Sequence, residues 1–230
     1  PLGAIKGAAQ LLVDADGKPV PVQDGTEFLA IIVEEVNRLN RVVTQFLDYA
    51  RPYKGDAAEI DLNEVVRRTL QLVESLDEGR RVTFEARFTD DLPRVRGDAE
   101  QLRQVFLNLG LNAMQAMPDG GTLTVSTSRR AARRRGEPGA FVEVRFHDTG
   151  PGISREHMKN LFIPFFTTKE KGTGLGLPIS QRIVTQHGGI IEVRSEPHKR
   201  RGTTFTVVLP VADDTSITAT GSISRQGLLA

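Results

Sequence analysis

The first fifty residues carry apolar side chains at helical spacing. Residues 1–13 place one at about every third or fourth position, which predicts a helix. The Gly-, Pro- and Asp-rich stretch 14–25 predicts a loop, and Thr26 is a candidate N-cap for a second, longer helix that ends near Pro52. Helix, loop and helix form an antiparallel hairpin. The apolar stripe of the second helix requires a partner, either a second hairpin, which gives a dimeric four-helix bundle, or the rest of the chain.

A different pattern begins at residue 61. From there, segments with apolar residues at helical spacing are interspersed with segments in which apolar and polar residues alternate. Apolar residues alternate in 81–88, and Val82, Phe84, Ala86 and Phe88 are predicted to face inward. Helices are predicted at 61–76, 98–117, 155–161 and 174–187, and further strands at 122–128, 141–148, 190–196 and 203–210. Helices that precede a mostly antiparallel sheet indicate an α/β two-layer sandwich. The predicted fold class is therefore α+β, a helical hairpin followed by this sandwich.

The expected domain division follows these patterns. The hairpin takes residues 1–54 and the sandwich 55–210, while 211–230 lack periodicity and are expected to form a flexible tail. The chain starts with Pro1 rather than Met, inside a predicted helix, so we expect it to be part of a longer protein.

Composition narrows the possible classes of function. The chain is 39% hydrophobic and 26% charged, which is ordinary for a soluble globular protein, and its formal net charge of +1 gives no argument for nucleic acid. It has no Cys, which excludes disulfides, thiolate nucleophiles and cysteine-based zinc sites. No apolar run approaches the roughly 20 residues that cross a bilayer. We expect a cytoplasmic domain, in a parent that is either cytoplasmic or membrane-anchored.

A row of amides lies on the helix predicted at 98–117. Gln104, Asn108 and Asn112 are four residues apart and therefore stack along one side of it. Asn is unfavourable inside a helix because its side chain competes for backbone hydrogen bonds. An amide oxygen suits Mg²⁺, which takes hard oxygen ligands and often shares them with substrate phosphates. The alternative is that the amides simply face solvent.

The segment GTGLGL, residues 172–177, opens a predicted helix. Its glycines leave backbone N–H groups accessible beside a helix N-terminus, which is a phosphate site on physical grounds. The spacing differs from the dinucleotide-binding fingerprint, and a flexible loop explains a glycine run equally well. Just before it, LFIPFFTTKEK at 161–171 combines an apolar part with a polar one, which we interpret as a hinged lid over the phosphates.

Asp148 stands in the segment FHDTGPGI, residues 146–153, and two chemistries fit it. Asp-Thr-Gly resembles one half of an aspartic protease site, where two carboxylates share a proton. A second chain would have to supply the other carboxylate, and Pro151 stands where such sites usually carry Ala or Ser. Alternatively, an acid that ends a strand and precedes two spaced glycines suits a nucleotide pocket, where it stays ionised and accepts a hydrogen bond.

An arginine cluster lies between the strands predicted at 122–128 and 141–148. It could contact nucleic acid or an acidic partner. A solvated hairpin turn is the favoured interpretation, because no aromatic residues are interleaved to stack on bases. No nucleic-acid partner is expected. Its members are Arg129, Arg130, Arg133, Arg134 and Arg135.

Four segments occur in a specific order. They are NLGLNA (108–113), DTGPG (148–152), LFIPFFTTK (161–169) and GTGLGL (172–177). They resemble the N, G1, F and G2 boxes of the sensor histidine kinase catalytic domain, an ATP-binding sandwich of the type shared with Hsp90, gyrase B and MutL. GTTF at 202–205 is similar to the last glycine-containing element of that family, and the hairpin resembles its dimerisation and phosphoacceptor domain. Within the family the nitrogen-regulation, NtrB-like group is most similar.

The resemblance implies how the base of ATP is bound. Asp148 would accept a hydrogen bond from the adenine amino group, and Thr203 would lie near the adenine. Gly150 and Gly152 would let the backbone pass close to the base.

It also implies how the phosphates are bound. Asn112 would hold Mg²⁺ and Asn108 would support it, while Thr168 and Lys169 would belong to the lid. The glycine-rich segment would bind phosphates, mainly through backbone N–H groups. Its residues are Gly172, Thr173, Gly174, Leu175, Gly176 and Leu177.

The phosphorylated histidine of that family falls five positions before Pro1, so no catalytic residue of this kind is expected within the chain. Hsp90-like relatives place a Glu four residues before the Mg²⁺-binding Asn. Here that position is Asn108, which cannot take a proton from water. The expected function is phosphoryl transfer to a histidine, for relay to an aspartate on a response-regulator receiver domain, within a homodimer formed by 1–54. The alternative is an ATP-binding or ATPase module of the same superfamily without kinase activity.

Overall fold

The computed structural model describes residues 2–13, 25–50, 57–77, 79, 81–134, 137–169, 172–196 and 200–212. The chain divides into two compact units, Pro1–Pro52 and Tyr53–Ala230. Several predicted features lie outside the described residues. These are the loop over 14–24, the turn at Arg135, the end of the lid at 170–171 and the tail over 213–230.

The first unit consists of two packed helices, α1 (Leu2–Leu11) and α2 (Gly25–Ala50). The small side chain of Ala8 is buried, which lets the helices approach closely. Because α2 already begins at Gly25, Thr26 lies in its first turn, and the prediction that Thr26 is the N-cap is wrong. Several apolar side chains of α2 remain exposed. They are Leu29, Ile31, Val33, Val36 and Val43.

The second unit is built on a five-stranded sheet. Its strands are β2 (Val82–Arg87), β4 (Gly121–Arg134), β5 (Glu137–Asp148), β6 (Ile190–Glu196) and β7 (Arg200–Pro210). Their order is β2-β4-β5-β7-β6, and every neighbouring pair is antiparallel except β2 and β4. Inward side chains from successive strands meet in register, as Val125, Phe146 and Phe205 do.

Helices of the second unit contact one another and the strands. They are α3 (Leu62–Ser75), α4 (Ala99–Gln115) and α6 (Gly176–Gln186), with the short α5 (Arg155–Met158) before the lid. Asp61 and Asp98 cap α3 and α4, each by accepting two backbone N–H bonds, as their sequence positions indicate. Phe106 on α4 stacks on Phe146 of β5 with ring centroids 5.9 Å apart, which ties helix to sheet. This arrangement confirms the two-layer sandwich.

A small sheet was not predicted from the sequence. Strands β1 (Ala58–Ile60) and β3 (Val95–Gly97) pair antiparallel. Val211 is buried and bridges to Val95, and the Ala212 N–H donates to Arg94 O at 2.9 Å. The sandwich therefore continues two residues beyond the predicted boundary at 210.

Two local predictions need correction. Ala86 pairs directly with the buried Val125 and so shares the predicted inward face, but it is exposed because β2 is an edge strand whose second half is only partly covered. Strand β4 does not end at residue 128 as predicted, since it runs to Arg134 and pairs in register with β5; residues 129–134 therefore lie on a strand, and Arg135 lies outside the described residues. Within the arginine cluster, Arg130 makes two 3.0 Å bonds to the Glu192 carboxylate, and Arg129 donates to a backbone carbonyl.

Candidate functional site

Asp148 ends β5 and is almost completely buried, with 3% of its surface exposed. One oxygen, Oδ1, accepts from the Gly150 N–H at 2.9 Å and from the Thr203 N–H at 3.2 Å. Burial raises the pKa of Asp148 above its ordinary value of 3.8, while these two bonds and His147 act in the opposite direction. The ionised form of Asp148 is therefore less favourable than that of a solvent-exposed aspartate.

The loop after Asp148 turns back over the end of α4. A Cβ atom at Gly150 would lie 3.0 Å from Ala116 O and 2.9 Å from Asp148 Oδ1, so the close approach requires glycine. Gly152 follows with φ 82°. Thr149 fixes the outer side of the loop, because its Oγ1 accepts from the Thr122 N–H at 2.9 Å.

Asn108 joins α4 to the beginning of α6. Its Nδ2 donates to Gly176 O at 3.3 Å and lies 3.4 Å from Ser180 Oγ. Among the described residues no side chain caps α6, which begins after Leu175, so its first N–H groups remain available for an anion. The Asn108 amide therefore contacts the segment predicted to bind phosphate, and its predicted support of Mg²⁺ stays a prediction.

Asn112 meets the lid one helical turn further along α4. Its Oδ1 accepts from the Lys169 ammonium at 2.7 Å, and Gln115 Oε1 accepts from the same ammonium at 2.6 Å. Part of the Lys169 residue is exposed to solvent. Its ammonium group is nevertheless partly desolvated, which lowers the pKa of Lys169 to about 8.

The donor set fits a magnesium ion that arrives with phosphates. Asn112 Oδ1 is a neutral, hard oxygen that already accepts from a cation here. Within the described residues no group of three or more His, Cys, Asp or Glu side chains forms a metal cage. Mg²⁺ commonly uses one or two protein oxygens and completes its shell with phosphate and water, so this sparse arrangement suits it.

Two residues with positive φ angles meet at the base of the lid segment. Phe165 has φ 67° and donates its N–H to Gly174 O at 3.0 Å, and Gly174 has φ 68°. A Cβ atom at Gly174 would lie 2.4 Å from the Phe165 carbonyl carbon, so only glycine fits there. Within the apolar part of the segment 161–171, Phe165 is 58% exposed, whereas Phe162 and Phe166 are half-buried.

The remaining predicted residues lie along the same segments. Thr168 is exposed beside Lys169, and the Gly172 N–H donates to Lys169 O at 3.1 Å. Thr173 Oγ1 lies 3.4 Å from the Leu175 N–H. Leu177 is half-buried in the first turn of α6.

Three residues of the site were not found from the sequence. Gln115 could have been, since it lies three positions after Asn112 and shares its side of α4. Ser180 likewise lies four positions after Gly176. Ser195 on β6 gave no local signal, because its contacts with the loop and with β7 arise only from strand pairing.

Comparison with known families agrees with this geometry. Residues 97–213 match the model of the histidine kinase-, DNA gyrase B- and HSP90-like ATPases, and residues 1–54 match the His Kinase A phospho-acceptor domain. The chain belongs to the sensor histidine kinase family. Its ATPase-like portion includes every segment that the geometry brings together.

Sensor histidine kinases from several groups are similar to the chain. The sensor histidine kinase ZraS of Escherichia coli (strain K12) is 38% identical over 212 residues, 92% of this chain and 43% of that protein. The sensory histidine kinase/phosphatase NtrB of Vibrio alginolyticus is 37% identical over 217 residues, 92% of this chain and 59% of that protein. The NtrB-like group is therefore one of several similar groups. The chain spans about half of the length of these curated relatives.

Solved histidine kinase structures share the fold. The catalytic domain of histidine kinase ThkA superposes with a TM-score of 0.58 at 30% identity and covers 68% of this chain and 99% of its own. ThkA in complex with the response regulator protein TrrA gives 0.69 at 26% identity, over 92% of this chain and 58% of that one. Among the helices of the described ranges, none has the length and apolar character to cross a membrane.

Proposed function

We propose that the chain is the kinase portion of a two-component sensor histidine kinase, which binds Mg-ATP and transfers the γ-phosphate to a histidine. One observation carries the proposal. Three residues spaced by four along α4 each contact a different segment of the site: Asn108 contacts Gly176, Asn112 contacts Lys169, and Ala116 lies against the loop at Gly150. One side of a single helix thereby organises the phosphate segment, the lid and the base-binding loop.

The base is assigned to Asp148. Its Oδ1 already accepts two backbone bonds, which leaves Oδ2 to accept from the adenine amino group. Such a bond favours the carboxylate form and opposes the effect of burial on its pKa. Gly150 and Gly152 keep the backbone close to the base, and Thr203 lies directly opposite Asp148 in the neighbouring strand.

The phosphates are assigned to the start of α6 and to the glycine-rich segment before it. Uncapped N–H groups and the helix dipole favour an anion there. Asn112 would hold Mg²⁺, which neutralises phosphate charge when bound, and Lys169 brings a second cation within reach of the same region. Thr168 and Thr173 contribute hydroxyl groups nearby.

Transfer rather than hydrolysis is favoured by Asn108. Its amide cannot accept a proton from water, and its Nδ2 is engaged with the start of α6. We therefore assign the protein's contribution to positioning and charge stabilisation, with a histidine as the nucleophile. By the family pattern that histidine would precede Pro1, beside the helices of the region that matches the phospho-acceptor domain.

The partners follow from the same assignment. Exposed apolar side chains on α2 are available to a second copy, which supports a homodimer formed by residues 1–54. The similarity to ThkA, whose structure includes TrrA, supports a response-regulator receiver domain as the next phosphate acceptor.

Radiolabelled ATP tests the proposal. The longer parent protein is incubated with γ-labelled ATP and Mg²⁺, and the label is then treated with acid and with base. We expect label that is lost in acid and retained in base, as a phosphohistidine requires, and loss of labelling in Asn112→Ala. Acid-stable label, or phosphate release without any protein label, would contradict transfer to histidine.

A further inference from the structure

Three polar side chains form a row across the sheet beside the base-binding loop. Asp148 of β5 is directly opposite Thr203 of β7, and Thr203 is directly opposite Ser195 of β6. Directly paired residues project from the same face of a sheet, so the three side chains lie side by side. The loop that leaves Asp148 returns to the far end of this row, where the Ile153 N–H donates to Ser195 Oγ at 2.8 Å.

The hydroxyl of Ser195 is fully used by its neighbours. It donates its single proton to Gly202 O at 3.0 Å and accepts from the Ile153 N–H. Its Oγ also lies 3.2 Å from Thr203 Oγ1. Because the Ser195 proton is committed to a carbonyl, the Thr203 hydroxyl must be the donor in this pair.

The bonds of Ser195 determine whether the Thr203 hydroxyl donates or accepts. A threonine hydroxyl has one proton, and here it points to Ser195, so Thr203 Oγ1 has only acceptor capacity left. Asp148 as a carboxylate is also acceptor-only. The two groups nearest the proposed base position therefore favour a ligand that presents hydrogen-bond donors.

We propose that Ser195 is a positioning residue that sets the base specificity of the site, by holding the Thr203 hydroxyl as an acceptor. The proposal rests on the proposed function, since it concerns the same adenine site. Adenine presents an amino group at position 6, whereas hypoxanthine presents a carbonyl oxygen there. With only acceptors available from Asp148 and Thr203, the site favours the amino group of adenine and repels the carbonyl oxygen of hypoxanthine.

Loss of the Ser195 hydroxyl has two consequences. The Ile153 N–H and Gly202 O lose a partner, which loosens the loop on one side. The Thr203 hydroxyl also becomes free to rotate and to donate to a carbonyl on the base. The first effect weakens binding of every nucleotide, while the second selectively favours hypoxanthine. A change in the ratio of two affinities therefore separates a specificity role from a merely structural one.

The test measures dissociation constants of ADP and IDP with Mg²⁺ for the intact chain. In Ser195→Ala we expect the preference for ADP over IDP to fall by roughly three- to tenfold, the effect of one net hydrogen bond. Ser195→Thr, which keeps the hydroxyl, should preserve most of the preference. Ser128→Ala is the matched control, because Ser128 Oγ also makes a side-chain bond in the same sheet, to Glu143 at 2.9 Å, away from this row.

If the wild-type chain binds ADP and Ser195→Ala keeps the same ADP-to-IDP ratio, the specificity role is refuted while the nucleotide site stands. If Ser128→Ala changes the ratio as much, the role is also refuted. If the wild-type chain binds neither nucleotide, the proposed function and the inference fail together. Melting temperatures of all variants show that each ratio comes from a folded protein.

Discussion

Asp148→Asn isolates the carboxylate that we assign to the adenine. Oδ1 of Asp148 accepts both backbone bonds, from Gly150 and Thr203, and an asparagine amide oxygen can accept the same two. The amide nitrogen then takes the place of Oδ2. A donor replaces an acceptor at the one atom that is predicted to contact the adenine amino group, while the fold keeps its hydrogen bonds.

The expected loss of affinity follows from that exchange. A hydrogen bond to a charged group contributes about 1.5–3 kcal/mol, and each 1.4 kcal/mol is about tenfold in affinity. We therefore expect Asp148→Asn to weaken ADP binding by between roughly ten- and 150-fold. We expect the loss to lie towards the upper end of this range, because the new side-chain amide and the adenine amino group would be two donors facing each other.

Stability should change in the opposite direction. Burial raises the pKa of Asp148 in the folded state, so its contribution to stability is present below the unfolded pKa and is lost as the pH rises through the folded pKa. At pH 7 the ionised carboxylate is therefore a net cost that asparagine lacks. Asp148→Asn should unfold at the same or a higher temperature than the wild type at pH 7, and this difference should shrink as the pH falls towards about 4.

Titration calorimetry with ADP and thermal unfolding at both pH values test the two parts together. A variant that binds ADP as tightly as the wild type would refute the assignment of the base to Asp148. A variant that loses binding together with several degrees of melting temperature would show that the carboxylate maintains the fold, and the argument from Oδ2 would then be wrong.

Two further substitutions test the packing of α4 and the lid contact. A Cβ atom at Gly110 would lie 2.8 Å from Val73 Cγ2. Gly110→Ala should therefore lower the free energy of unfolding, measured in urea, by about 1–2 kcal/mol, although Ala has the better helix propensity. Adding Val73→Ala should recover part of that loss, because it removes the overlapping methyl groups. A purely additive double mutant would contradict the overlap. Lys169→Met should weaken Mg-ADP binding severalfold and leave the melting temperature unchanged, because the ammonium contacts only surface amides of α4 in the described residues. Unaltered ADP affinity would exclude Lys169 from the phosphate site.

The elements that could be predicted are those whose signals are local. Asp61 stands directly before an amphipathic run, and its carboxylate accepts from the Asn63 and Glu64 N–H groups as a helix cap should. In the strands at the middle of the sheet, apolar and polar residues alternate strongly enough for the strands to be recognised from the sequence. The binding segments could be located because glycines and amides in fixed order are uncommon, although the roles of individual residues came from family resemblance.

The features that escaped prediction depend on contacts between distant parts of the chain. Strands β1 and β3 have three residues each and stand more than thirty positions apart, so neither shows a period of its own. Phe165 belongs to an aromatic cluster in the sequence but is exposed, because its backbone pairs with Gly174 and turns the side chain outward. Ser195 is one polar residue in a strand, and its three contacts exist only after the loop and β7 are in place.

The spacing of α4 explains why the site is assembled by a helix rather than by its loops. Asn108, Asn112 and Ala116 are one turn apart, and each fixes a different segment, while the opposite side of the same helix is buried against the sheet. A rotation of α4 would therefore disturb the phosphate segment, the lid and the base loop together. Asn is unfavourable inside a helix, but Asn108 and Asn112 each make a contact that a residue of higher helix propensity, such as Ala or Leu, could not make.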